Sequence, residues 1–118
     1  MEKLADKVVL IVGGTGGIGC AAAKHLHKSG AKVYITSRSV QKLQSVCAEV
    51  GINTDHGFVL DFENAESVSS VVSEILSKEN RIDILINAAG VGIIKNFEQL
   101  TVEDMRKSIQ VNILGPFM

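Results

Sequence analysis

Five glycines fall within seven positions in Gly13-Gly14-Thr15-Gly16-Gly17-Ile18-Gly19, directly after the apolar run Val8-Val9-Leu10-Ile11-Val12. Glycine lets a backbone turn with positive φ, and it lets amides approach a ligand where a Cβ would collide. The first N–H groups of a helix have no partner inside it, so a strand, a glycine turn and a helix N-terminus make an anion site suited to a dinucleotide's diphosphate. The spacing admits three readings: Gly14, Gly16 and Gly19 as G-x-G-x-x-G, Gly13, Gly16 and Gly19 as G-x-x-G-x-x-G, and Gly13, Gly17 and Gly19 as G-x-x-x-G-x-G. A purely structural turn is the competing explanation. The strand before the turn and the helix after it weigh against that. No Lys follows Gly19, so this is not a loop for a nucleoside triphosphate.

These residues need elements to hold them. Lys7–Val12 predicts a first strand without polar alternation, as in a parallel strand covered on both faces. Ile18–Ser29 predicts a helix with Ile18, Ala22 and Leu26 along one face, and Gly30 follows as its cap. Lys32–Thr36 is a second strand. Ser39 caps a second helix with the apolar stripe Val40, Leu43, Cys47 and Val50, ended by Gly51. Gly57–Leu60 is a short third strand, and Ala65, Val68, Val72, Ile75 and Leu76 mark a third helix. Ile82–Ile86 is a fourth strand, with Asp83 near its start, and Val91–Leu100 reads as a loop. Thr101 caps a fourth helix that carries Glu103 and Asp104 in its first turn. Strand and helix alternate throughout, which predicts an α/β fold with a doubly wound, Rossmann-like parallel sheet of order 3-2-1-4. A ligand is expected beyond the carboxyl ends of strands one and four, where the connections change direction.

Four clusters close the four strands on that edge: the glycine turn, Ser37 with Arg38, Asp61 with Phe62, and Asn87-Ala88-Ala89-Gly90. With these residues the chain resembles the short-chain dehydrogenase/reductase family along nearly its whole length. The glycines then read as Gly13-x-x-x-Gly17-x-Gly19, and Asn87–Gly90 is similar to the family's N-N-A-G signature. Val111-Asn112-Ile113-Leu114-Gly115 resembles its N-x-x-G segment. The chain departs from the pattern at Val12, where the family often has Thr, and at Ala88, where it often has a second Asn. The resemblance implies a cofactor site built from Gly13, Thr15, Gly16, Gly17, Ile18, Gly19, Ser37, Arg38, Asp61, Phe62, Asn87, Ala88, Ala89 and Gly90. Within it Asp61 would bind the adenine amino group. It also implies that Asn112 helps hold a water in the proton relay; an Asn satisfied by local backbone is the alternative. Pro116 predicts a helix irregularity nearby.

Cofactor choice follows from charge. A carboxylate after strand two would accept hydrogen bonds from the ribose hydroxyls of NAD(H) and repel the 2′-phosphate of NADP(H). Arg38 stands there instead, and its planar fork matches phosphate oxygens, so NADP(H) is expected over NAD(H). The resemblance implies an oxidoreductase that moves a hydride between nicotinamide and a small-molecule carbonyl or alcohol. The family's Ser, Tyr and Lys lie downstream of the Asn112 segment, and the only tyrosine here, Tyr34, falls inside strand two. The expectation is therefore one incomplete domain over residues 1–118, the N-terminal cofactor-binding half of a longer, homo-oligomeric reductase. A binding module without turnover, and a related epimerase or dehydratase, are the competing functions.

Composition narrows the field. With 118 residues, 46% hydrophobic, 21% charged and a net charge of −1, the chain has a globular balance and no basic stripe for nucleic acid. No apolar run is long enough for a membrane span. Residues 1–7 lack a signal-peptide core, so the cytoplasm is the expected compartment. Cys20 and Cys47 read as small buried hydrophobes, at least one of His25 and His27, two apart, as a helix-surface residue, and His56 as a residue with no evident partner.

Overall fold

The computed structural model describes residues 4–118. Strands β1 (Val8–Val12), β2 (Lys32–Ser37), β3 (Gly57–Val59) and β4 (Ile84–Asn87) form one sheet of order β3-β2-β1-β4. Every pairing is parallel, with Leu10 of β1 opposite Tyr34 of β2 and Leu85 of β4. Helices α1 (Gly17–Lys28), α2 (Val40–Val50), α3 (Ala65–Glu79) and α4 (Val102–Ile109) follow the strands in turn. The expected alternation and strand order are thus observed. The segment between β4 and α4 carries only a single helical turn, Phe97–Gln99.

All five residues of β1 are buried, and they divide by parity. Val9 and Ile11 join Val33, Ile35, Ala23, Leu43 and Cys47 on the face covered by α1 and α2. Val8, Leu10 and Val12 join Tyr34, Phe62, Val68, Val71 and Ile75 on the face covered by α3. Side chains of a strand alternate between faces, so a strand apolar throughout needs cover on both. Several boundaries and faces differ from the sequence reading. Ile18 is 81% exposed, and α1 buries Gly19 and Ala23 instead. Residues four apart share a helix face, and once Gly19 is turned to the sheet Ile18 lies about 100° away from it. Val40 is exposed while Val46 joins the buried stripe of α2. Cys47 is buried, but Cys20 is only half-buried, its Sγ 3.8 Å from the Glu49 carboxylate.

β4 starts two residues later than expected because Asp83 pairs by its side chain. Its carboxylate accepts from the Val8 N–H at 2.8 Å and from Arg81 Nε at 2.9 Å, while its own N–H donates to the Val8 carbonyl. The Val8 N–H, seconded by Arg81, holds the Asp83 carboxyl below the usual carboxylate range. Thr101 caps α4 as expected, in a reciprocal box with Asp104.

His56 has a partner after all. Its ring stacks on Tyr34 with centroids 4.2 Å apart, and its Nδ1 meets the Val33 carbonyl at 3.0 Å. The Tyr34 hydroxyl donates to Glu79 at 3.0 Å. Burial, and then the Glu79 bond and charge, push the Tyr34 phenol from 10.0 up to about 12. A raised acid is favoured by the fold in its neutral form. Tyr34 therefore contributes stability fully below pH 10.0, and that contribution is lost as pH rises through about 12. Tyr34 is the only tyrosine and there is no tryptophan, so the phenolate absorbance reports this one group. Its titration is expected to centre near 12, together with loss of far-ultraviolet helix signal; a midpoint near the ordinary 10.0 would contradict the packing described.

Candidate functional site

Past the carboxyl ends of all four strands lies a cleft of about 540 Å3. Gly13, Thr15, Gly16, Ser37, Arg38, Asp61, Phe62, Ala88, Ala89 and Gly90 all line it. The parallel sheet explains the meeting, because each strand delivers its following loop to the same edge. Gly17, Ile18, Gly19 and Asn87 lie outside the lining. Asn87 turns its carboxamide oxygen to the Ala89 N–H at 3.3 Å.

The glycine turn is fixed from below. Gly13 has φ +80°, and a Cβ there would sit 2.7 Å from the Ala89 nitrogen. A Cβ on Gly14 would sit 2.6 Å from that of Ile35, and one on Gly19 would run into the Gly13 carbonyl. Those three glycines are demanded by the protein's own packing. Gly16 and Gly17 are different. A Cβ on Gly16 comes no nearer than 3.7 Å to the Gly13 oxygen, and one on Gly17 meets nothing within 4 Å. The helix N-cap, Gly16, supplies no side-chain bond and the first turn of α1 holds no acid, so no local side chain caps its opening amides.

The turn is tied to the end of β2. The Gly13 N–H donates to Thr36 Oγ1 at 3.3 Å, the Gly14 N–H to the Thr36 carbonyl at 3.0 Å, and Thr15 Oγ1 to Ser37 Oγ at 3.0 Å. Thr36 is buried, with its hydroxyl satisfied by this contact. Ser39 accepts from the Lys42 N–H and starts α2 at the cleft wall. Arg38 and Lys42 are the cations of the lining and Asp61 is its carboxylate. Neither cation has a carboxylate partner among the described residues. Lys42 is not singled out by the sequence reading. Its signal there was its place three residues after a capping serine that itself follows Arg38.

Asn112 lies outside the cleft lining, and its side chain has a structural occupation. Its Oδ1 accepts from the Val91 N–H at 2.9 Å, and its Nδ2 donates to the Val91 carbonyl at 3.0 Å. It sits in a single π-turn, Gln110–Leu114, where the Gly115 N–H reaches back to the Gln110 carbonyl. Pro116 has no N–H to give and crowds the carbonyl four residues earlier, which accounts for the irregularity. Tyr34 is 2% exposed in the core and does not reach the cleft.

The short chain dehydrogenase family model matches residues 7–118. The chain belongs to the short-chain dehydrogenase family. This short-chain dehydrogenase sequence is 34% identical to a 3-oxoacyl-acyl-carrier-protein reductase of Aquifex aeolicus, over 98% of this chain and 48% of that protein. Its fold matches a metagenomic short-chain oxidoreductase crystallised in complex with NADP, with a TM-score of 0.87 at 28% identity over 97% of this chain and 53% of that one. It also matches a 3-ketoacyl-(acyl-carrier-protein) reductase from Brucella melitensis complexed with NADH, with a TM-score of 0.84 at 34% identity over 97% of this chain and 47% of that one. The chain spans half or less of the length of the curated relatives it matches, 40% of one and 48% of another. At the two departures from the family pattern, the Val12 carbonyl accepts from the Ala88 N–H at 2.8 Å, a backbone bond independent of either side chain.

Proposed function

We propose that this chain binds NADP(H) across the cleft and forms the cofactor-binding half of an oxidoreductase acting on a small-molecule carbonyl or alcohol. The observation that carries the reading is the glycine turn at the head of α1: no contact within the protein requires glycine at Gly16 or Gly17, and Gly16 lines the cleft beside the uncapped start of the helix. A diphosphate fits that space and that dipole. Arg38 and Lys42, without carboxylate partners, would hold a 2′-phosphate, Arg38 by paired hydrogen bonds and Lys42 as a point charge. The adenosine half then lies over β2 and β3, where the Asp61 carboxylate would accept from the adenine amino group. The nicotinamide half lies toward Asn87–Gly90 and the residues after β4. When bound, the cofactor supplies the hydride.

One solved relative holds NADP and another NADH, so the preference rests on this chain's own cations. Tyr34, held against Glu79 in the core, is not placed to exchange a proton with a substrate in the cleft. The 118 residues are accordingly assigned to binding rather than turnover, with assembly into homo-oligomers assigned to the longer protein. Calorimetric titration of the chain with NADPH and with NADH tests the reading. Saturable one-to-one binding, tighter for NADPH, is expected; no heat with either nucleotide would remove it.

A further inference from the structure

One side chain reaches from the π-turn to the loop that follows β3. Gln110 Nε2 donates to the Phe62 carbonyl at 2.8 Å, a partly buried bond spanning 48 positions of sequence. Phe62 and its neighbour Asp61 line the cleft at the end of β3. The rest of that wall is built to the same end. The Phe62 ring fills the space where a Gly115 side chain would stand, and Val111 is buried in the same cluster. The Asp61 backbone is closed on its other side by Ser67, whose Oγ accepts from the Asp61 N–H at 3.0 Å. Asn112, two residues after Gln110, grips Val91, the cleft residue that follows β4. Residues two apart on a helix point to different sides, so one turn reaches both the loop after β3 and the loop after β4. The extra residue of a π-turn is a costly departure from a regular helix, of the sort found where function needs it.

We propose that Gln110 is a positioning residue for base recognition: by fixing the Phe62 carbonyl it sets where the Asp61 carboxylate stands against the nucleotide's base. The inference rests on the nucleotide reading given above. Gln110 itself touches no part of the ligand. Its contribution is to hold the Phe62–Glu63 peptide, whose carbonyl accepts from Gln110 and whose N–H donates to Asp61 Oδ1 at 2.9 Å, so that the carboxylate meets an amino group on the base.

The test compares NADPH with its hypoxanthine analogue, which carries a carbonyl where adenine carries the amino group. The unmodified chain is expected to bind NADPH about tenfold more tightly, the difference between an accepted hydrogen bond and two facing acceptors. Gln110→Met keeps the length and removes the donor; Gln110→Glu keeps the shape and opposes the Phe62 carbonyl. Both variants are expected to narrow the ratio of the two dissociation constants to about one- to threefold. A loss of folded chain weakens both nucleotides equally and leaves the ratio untouched, so the ratio separates positioning from mere stability. An unchanged ratio in both variants overturns the assignment of Gln110 while leaving nucleotide binding intact. An unmodified chain that binds both nucleotides equally also overturns it. An unmodified chain that binds neither overturns the nucleotide reading itself.

Discussion

Replacing Arg38 with Ala is expected to weaken NADPH binding about 10- to 150-fold while leaving NADH binding close to its starting value. The range is that of a charged hydrogen bond, about 1.5–3 kcal/mol, converted to affinity. Arg38 lines the cleft immediately after β2, is exposed, and engages no carboxylate among the described residues, so its loss removes a ligand contact and leaves no buried charge unpaired. The stability of the free protein should therefore barely move. Arg38→Asp should go further, because its carboxylate repels the 2′-phosphate and accepts from the ribose hydroxyls, turning the preference toward NADH. Dissociation constants for both nucleotides measured on the three proteins check this. NADPH affinity unchanged in Arg38→Ala would sink the charge argument, even if the cleft still bound nucleotide.

The second large effect splits two glycines of one turn. Gly13→Ala is expected to destabilise the protein by about 2–6 kcal/mol, adding the strain of a left-handed backbone to the overpacking of a new methyl. The methyl would press on the Ala89 backbone at 2.7 Å with φ at +80°. A small domain has only about 5–15 kcal/mol to lose, so a collapse of the melting temperature follows. Gly17→Ala is expected to fold as well as the original or slightly better, since its Cβ meets nothing within 4 Å and alanine favours helix. Yet that variant should bind NADPH about tenfold more weakly or worse, because in the proposed pose the methyl would stand between the diphosphate and the opening amides of α1. Thermal unfolding and nucleotide titration, run on both variants, give the answer. Equal binding by Gly17→Ala and the original chain would mean that no ligand sits over this turn.

The division between those glycines marks how far the sequence could be read. The apolar run of β1 and the glycines after it were legible because burial on both faces and a tight turn leave few other residue choices. Ser39, Gly51 and Thr101 marked helix ends because capping is local chemistry. Contacts between distant segments were not legible. Asp83 carries the same residue letter whether it faces water or takes the Val8 N–H, and only the fold places β1 beside it. Ile18 belongs to the apolar periodicity of α1, but the packing of Gly19 on Gly13 turns it outward. Pro116 announced an irregular helix without locating it, and the distortion sits upstream because the Gly115 N–H bonds to Gln110. Asn112 could be singled out by motif, but its grip on Val91, across 21 positions, could not.

The sheet contains no hairpin. Each of its pairings, β1 with β2, β1 with β4 and β2 with β3, joins segments separated by a long crossover. Chain entropy must be surrendered over those distances before any ladder can repay it, which makes this a slow-folding topology. The four loops of the cleft do not exist as a group until the last crossover closes. A molecule that recognises them together is a ligand of the native state alone, and it shifts the folding equilibrium in proportion to the logarithm of its concentration. A molecule that occupied the cleft would add its binding free energy to that of the completed sheet.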